Sequence, residues 1–482
     1  MIRKALIFRV LGLLLIIESI FMLISAPFSF FYGDSDGLNL IISSLITFFV
    51  GLTSWFFTRK TRLDINKREG YTIVSLVWVV FSFFGSLPFF ISGAIPSYTD
   101  AFFETISGFT TTGASILNDI ESLSHGLLFW RSITQWLGGM GIIVMSLAIF
   151  PILGIGGMQL FIAEVPGPSP DKLHPRVKET AKRLWGIYAI FTFAEFILLM
   201  LGGIDCFDAI CHSFTTMATG GYSTKQLSIA FYDSAYIQYI IILFMFLAGT
   251  NFTLSYFGLR LRFKKIFKNE EFRFYLLFIL GFTIIIVAFL ILLTGGDFEK
   301  TFRDSLFQVV SIITTTGFVT TDYILWPSFL VLILFILMFF GGSAGSTGGS
   351  IKIVRVLLVF KNSFIELRRL LHPNAVIPVR LNSRGVHPTI ISNILAFVVI
   401  YMFSFIFGVI VMSIFGLDLE SSMGAVAATL GNVGPGIGSV GPMENYSLIH
   451  DSGKWFLSFL MLLGRLELFT VLMLFTKSFW KK

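Results

Sequence analysis

The chain is poor in charge and nearly free of cysteine. Asp, Glu, Lys and Arg account for 13% of its 482 residues, with 2 cysteines and 6 histidines. So little charge beside 55% apolar residues and a mean hydropathy of +0.84 excludes an ordinary soluble globule, which cannot bury that much apolar surface. Cys206 and Cys211 stand five residues apart. Helical side chains at that spacing do not face each other, so neither a disulfide nor a metal site is expected of them. The histidines (His125, His174, His212, His372, His387, His450) are scattered, and no HExxH or paired-carboxylate motif accompanies them. These absences exclude the common enzyme designs. No phosphate-binding glycine loop or dinucleotide fingerprint occurs either, so nucleotide control would have to come from another chain.

What is present is a series of apolar runs long enough to cross a bilayer, which takes about 20 residues. Two lie near 5–31 and 38–58. The first follows Arg3 and Lys4 as a signal peptide would, but it is too long for one, so we read a retained helix. The +7 net charge sits in loops between the runs and reflects topology rather than nucleic-acid binding.

The remaining chain repeats itself. The stretches Phe109–Ser115, Met217–Ser223, Thr314–Thr320 and Leu430–Gly436 are each a run of small or hydroxylic residues ending in glycine. Aligned on Gly113, Gly220, Gly317 and Gly434, each follows an apolar segment too short to span, near 99–109, 206–217, 300–313 and 418–429. The expected fold is an all-α polytopic membrane protein of four pseudo-symmetric units around one central pore. Each unit runs span, half-helix, filter, span. The units cover 71–153, 182–261, 273–366 and 387–477, with two extra N-terminal helices in 1–60.

Inward-facing carbonyls on four such segments are what a cation filter requires. The candidate ligands are the carbonyls of Thr111, Thr112 and Gly113; Ala218, Thr219 and Gly220; Thr315, Thr316 and Gly317; and Asn432, Val433 and Gly434. No carboxylate lies among them, which suits a large monovalent cation better than Ca²⁺ or Mg²⁺. Near the start of the short helices stand Asp100, Asp208, Asp304, and Asp418 with Glu420. They read as helix caps, with a share in drawing cations to the mouth.

In the second spans, Gly138–Gly139, Gly249, Gly341–Gly342 and Gly464 recur 24 to 30 residues after the filter glycines. The third grows into Gly341, Gly342, Ser343, Ala344, Gly345, Ser346, Thr347, Gly348, Gly349 and Ser350, a composition that does not hold a helix. It reads as a pore-obstructing loop, or as close packing through small residues. Arg465 falls inside the last span, where a cation costs at least about 2.5 kcal/mol in lipid. It either forms a barrier in the pore or belongs to a buried ion pair; Glu467, two residues on, is badly placed to be its partner.

Loop charge sets the orientation. The stretches 59–68, 172–183, 260–273 and 352–384, with the two ends, hold 29 of the 35 Lys and Arg residues. Positive-inside then puts both termini in the cytoplasm and the four filter stretches outside.

In combination, the four filters, the Gly/Ser/Thr loop and the Gly464–Arg465 pair resemble the Trk/Ktr/HKT superfamily of potassium transporters over the whole chain. The extra N-terminal helices resemble its bacterial TrkH-type branch. That resemblance implies K⁺ uptake across a bacterial inner membrane, with the third-unit loop as gate and Arg465 beneath the filter. It also implies a homodimer on a cytoplasmic ring of a nucleotide-binding, TrkA-like regulator. K⁺ would be the transported ion, with no organic cofactor on this chain. Gly113, where some plant relatives carry serine, leans towards potassium, although no segment has the full TVGYG run of potassium channels. The competing reading is a symporter that couples K⁺ to H⁺ or Na⁺. The basic stretch from Lys361 to Arg384 is the expected docking surface for the regulator.

Overall fold

Long apolar runs become long helices in the computed structural model, which describes residues 2–61, 66–141 and 177–480. Among these residues six helices are long and apolar enough to cross a membrane: Lys4–Tyr32, Gly37–Thr58, Arg68–Ile91, Lys182–Leu201, Glu270–Thr294 and Pro388–Ile414. Two further apolar stretches are sharply broken. Ala235–Ala248 meets Phe252–Leu259 at 114°, and Asp451–Arg465 meets Phe469–Phe475 at 111°. The span expected near 126–153 is described as a helix over His125–Trp136 and a π-helical turn over Leu137–Gly141. Its remainder, like the start of the basic stretch 172–183, lies outside the described residues.

The first two helices form a hairpin held by backbone proximity. A Cβ on Gly12 would sit 2.7 Å from the Gly51 carbonyl, and one on Gly51 would sit 2.8 Å from the Gly12 carbonyl. Small residues permit this approach, and hydroxyls then bond across it. Ser44 Oγ donates to the Ser19 carbonyl at 2.7 Å, and Ser54 Oγ donates to that of Phe8 at 2.8 Å.

Short helices occupy Tyr98–Phe109, Cys206–Met217, Phe298–Ile313 and Leu419–Leu430. Twelve residues rise about 18 Å and the sixteen of the third helix about 24 Å, short of a hydrocarbon core about 30 Å thick. Each helix is buried along most of its length, so its free ends need partners from protein. At the N-termini the caps are Ser97, Asp205, Asp297 and Asp418, each accepting from a backbone N–H of the first turn. The expectation that Asp100, Asp208 and Asp304 act as caps is therefore corrected; of the acids singled out, only Asp418 caps by its side chain. Asp208 and Asp304 reach instead to the chain that returns after the glycine. They accept from Thr224 Oγ1 at 2.7 Å and Thr320 Oγ1 at 3.1 Å, the same relative position in two units. Asp100 pairs with Lys454 at 2.5 Å.

The third unit's second span is interrupted. Ser328–Leu337 and Ile353–Leu371 flank a loop whose ends pair as two-residue parallel strands, Phe340–Gly341 with Ile351–Lys352.

Gly51→Val should drive the N-terminal hairpin apart. The expected cost is about 1–3 kcal/mol, as for other overpacked contacts, measured as a lowered unfolding midpoint of the detergent-solubilised protein.

Candidate functional site

Each short helix ends in the same turn. The second residue after the last helical position takes a left-handed conformation: Thr111 (φ 53°), Thr219 (φ 53°), Thr315 (φ 57°) and Asn432 (φ 54°). The next residue's N–H reaches back to a carbonyl five residues earlier, from Thr112 to Ser107, Gly220 to Thr215, Thr316 to Ser311 and Val433 to Ala428, at 2.8–2.9 Å. This is a Schellman cap, in which glycine is the usual left-handed residue. Three threonines and an asparagine there cost on the order of 1–3 kcal/mol each, and such strain persists only where surrounding structure enforces it.

Two residues beyond each strained position comes a glycine with positive φ: Gly113 (83°), Gly221 (76°), Gly317 (83°) and Gly434 (97°). The second unit is thus registered on Gly221, one residue later than the sequence alignment on Gly220. Its equivalents of Thr111–Thr112–Gly113 are Thr219–Gly220–Gly221, and Ala218 takes the place of Thr110.

These glycines close a ring. A Cβ on Gly113 would overlap the Gly220 carbonyl oxygen, one on Gly221 that of Thr316, and one on Gly317 that of Val433. A Cβ on Gly434 would lie 2.6 Å from the Thr112 carbonyl oxygen. Each unit therefore abuts the next in chain order, and the fourth abuts the first. A cavity of about 80 Å³ opens on one side of the ring, lined by all four glycines with Arg131, Lys225, Glu444 and Tyr446.

Every segment has its own anchor. In the first and third units, threonine hydroxyls two residues apart bond to each other: Thr110 to Thr112 at 2.8 Å and Thr314 to Thr316 at 2.7 Å. In the second, Gln135 Nε2 donates to the Gly220 carbonyl at 2.6 Å while its Oε1 accepts from Tyr222 N at 3.0 Å. In the fourth, Asn432 Nδ2 donates to Thr112 Oγ1 at 2.9 Å and to the Met461 carbonyl at 3.0 Å.

Behind the first two segments lies a buried ion pair, Arg131 Nε to Glu104 Oε1 at 2.7 Å, with both side chains at most 3% exposed. Glu104 also accepts from Ile116 N at 2.9 Å and Ser115 Oγ at 3.0 Å. Arg131 donates to the Ser223 carbonyl at 2.9 Å and stacks 3.5 Å above the Tyr222 ring. Burial of an ion pair is tolerable when its remaining hydrogen-bonding capacity is used in this way.

Gly341–Ser350 lies against the opposite side of the ring from the cavity. Gly349 N donates to Thr315 Oγ1 at 2.7 Å, Ser343 N to the Gly249 carbonyl at 2.8 Å, and Thr347 Oγ1 to the Met217 carbonyl at 3.2 Å. Ala344 N donates to Glu271 at 2.7 Å, and Lys352 Nζ donates to the Gly348 carbonyl. The second-span glycines play two structural parts. The third is a true break, whereas a Cβ on Gly138 or Gly464 would overlap the carbonyls of Phe109 and Leu430, at the ends of the first and fourth short helices.

Arg465 meets this loop. Its guanidinium donates to the Thr347 carbonyl at 2.7 Å, and to Gly138 and Gly139 at 2.5 and 2.7 Å. Those two glycines lie in the π-helical turn, where the shifted register leaves carbonyls available. Glu467 turns away through a left-handed residue pair (Glu467 φ 55°, Leu468 φ 49°) and binds Arg355.

Sequence reasoning missed Gln135, Tyr222, Tyr446 and the Glu104–Arg131 pair. Tyr446 donates to the Gly434 carbonyl at 2.8 Å. Arg131 did carry a signal, as one of the six Lys and Arg residues outside the basic stretches and the two ends. Gln135 carried none.

A membrane-embedded helical bundle with four strained backbone turns meeting in a ring, and a non-helical loop beneath it, defines a membrane transport protein rather than an enzyme. The family model described as TrkH, cation transport protein, matches residues 37–482. The chain is 42% identical over 480 residues to the Trk system potassium uptake protein TrkH of Escherichia coli K12, covering 98% of this chain and 99% of that one. It is 35% identical to the potassium uptake protein TrkI of Halomonas elongata, covering 100% and 98%. The crystal structure of the potassium transporter TrkH from Vibrio parahaemolyticus superposes with a TM-score of 0.89 at 38% identity, covering 99% of this chain and all of that one. The chain belongs to the TrkH family of cation transport proteins.

Arg131→Met should leave the Glu104 carboxylate buried without its counter-charge, at about 3–5 kcal/mol. The expected outcome is a marked fall in thermal stability and folded yield, partly restored in the Arg131→Met/Glu104→Gln double variant.

Proposed function

We propose that this protein carries K⁺ across a bacterial inner membrane through a gated pore at the ring axis. The observation that carries the reading is the closed cycle of contacts between each glycine and the preceding residue's carbonyl in the next unit. Four backbone oxygens brought to one axis, with no carboxylate among the ring residues, replace the hydration shell of a weakly hydrated monovalent cation. The short helices aim their C-terminal ends at the ring, adding partial negative charge.

The ring ligands in this reading are the carbonyls of Thr111, Thr112 and Gly113; Thr219, Gly220 and Gly221; Thr315, Thr316 and Gly317; and Asn432, Val433 and Gly434. Gly341–Ser350 is the gate. Arg465 latches it by holding the Thr347 carbonyl and the Gly138–Gly139 turn together, and places positive charge in the path. Both termini are cytoplasmic, as the loop charges favour. A nucleotide-binding regulatory ring docks on the basic cytoplasmic stretch Lys361–Arg384, and two copies of the chain share it. A groove of about 650 Å³ there, lined by Lys361, Phe364, Arg368 and Arg380, supports that surface.

A coupled symporter is the second reading. It is favoured by Glu18 and Glu195, fully buried within long spans, with Glu195 beside Thr216 of the second short helix. Carboxyl groups at that depth are where a coupled proton would be held.

Flux of K⁺, Rb⁺, Na⁺ and Li⁺ into liposomes holding the purified protein separates the two. Downhill K⁺ and Rb⁺ flux exceeding Na⁺, with no other gradient, is expected of the pore; flux that starts only under a H⁺ or Na⁺ gradient supports the symporter. Gly113→Ser should lower the K⁺ preference, because its side chain meets the Gly220 carbonyl. Arg465→Ala, or removal of part of Gly341–Ser350, should raise flux without a regulator. Unchanged or lower flux in folded protein would sink the gate assignment.

A further inference from the structure

Resting on the pore reading, we infer that Gln135 is a positioning residue that sets cation selectivity by weakening one of the four ring carbonyls. The ring position before each glycine is held by Thr112, Gly220, Thr316 and Val433. Among the described residues no hydrogen-bond donor reaches the carbonyls of Thr112, Thr316 or Val433. The Gly220 carbonyl alone accepts one, from Gln135 Nε2 at 2.6 Å.

Gln135 is fully buried, and its amide is used at both ends. While Nε2 donates to Gly220, Oε1 accepts from Tyr222 N at 3.0 Å, so one side chain grips the residues on either side of Gly221. The grip explains the sequence. A Cβ at Gly220 would overlap the Gln135 amide carbon and oxygen, whereas the other three units carry a full side chain at this position. The second glycine of Gly220–Gly221 thus gives the turn its conformation, and the first makes room for Gln135.

The electrostatic consequence follows from distance. A donor proton against the carbonyl opposes a cation approaching the same oxygen, so the layer formed by the residues before the glycines has three strong dipoles and one weakened one. In the layer of the glycines Tyr446 weakens the Gly434 carbonyl in the same way. Interaction energy scales inversely with separation, so a small cation gains more from a strong oxygen than a large one does. Weakening one oxygen in four penalises Na⁺ more than K⁺. The tether at Tyr222 also keeps this segment from collapsing onto the smaller ion. Asymmetry in the ring is therefore a selectivity device.

The test uses full-length protein in liposomes, reading K⁺ and Na⁺ flux separately. Gln135→Met removes both hydrogen bonds at similar length; Gln135→Glu keeps the acceptor for Tyr222 N and removes the donor where its carboxyl is ionised. The fluxes of Gln135→Glu are therefore read at rising pH, since a protonated carboxyl would donate to Gly220 again. Both variants should lose K⁺ over Na⁺ preference by about threefold or more while still carrying K⁺, since selectivity depends on the number and strength of the carbonyl dipoles. A purely structural role would lower both fluxes together and leave their ratio alone, and that outcome overturns the inference. So does a shift in Gln135→Met with none in Gln135→Glu, which would assign the effect to the Tyr222 tether. If Gln135→Met does not fold, Gln135→Glu decides. A wild-type chain that shows no preference for K⁺ overturns the ring reading itself, whereas a selective wild type with unaltered variants overturns only the role of Gln135.

Discussion

Within a bilayer every backbone N–H and C=O needs a partner, because no water is there to supply one. Helices meet that demand by themselves; the points where this chain leaves the helix do not. Among the described residues four turns, one ten-residue loop and two sharp bends stand in the interior, and much of the surrounding structure serves to satisfy them. The turns bond back onto their own helices through the Thr112, Gly220, Thr316 and Val433 amides. The loop takes its partners from Gly249, Thr315, Met217 and Glu271. Arg465 supplies donors to carbonyls of two separate breaks at once.

Strain and support are matched unit by unit. A β-branched residue in the left-handed region is an outlier that a loose segment would relax. Here it is fixed by a hydroxyl pair in units one and three and by the Gln135 clamp in unit two. In unit four the strained residue is itself the anchor, Asn432, which tolerates the conformation better and bonds to Thr112 across the ring. Three chemically different solutions to one geometric requirement, spread over four units, are what a repeat that has diverged in sequence but not in backbone would contain. The acids at equivalent places diverge likewise: Asp208 and Asp304 staple their return segments, while Asp100 turns to Lys454.

Much of the fold was legible because hydropathy reports length directly. Helices such as Glu270–Thr294 and Pro388–Ile414 follow from unbroken apolar runs. The short buried helices were legible for the converse reason, being apolar but too short to span. The register of the second unit was not. Gly220–Gly221 offers two candidates for one backbone role, and only the φ values distinguish the strained turn from the residue cleared for Gln135. Capping was misread because several acids crowd each helix start, and sequence does not tell which faces the free N–H groups. Gln135 was invisible in principle, since a single amide inside a span has no periodicity and its partner lies 85 residues away.

The cycle of glycine contacts ends where it began, with Gly434 against Thr112 and Asn432 bonded to a residue 320 positions earlier. Contacts that distant in sequence form late, since the entropy of closing the intervening chain must be met first. During synthesis the first and third turns therefore wait, with their strain unsupported on one flank, until the last quarter of the chain has been inserted. Arg465, which bridges the loop to the π-helical turn, arrives later still. Ring and loop are completed together by the final unit, so a chain truncated before it has neither a closed ring nor a fastened loop.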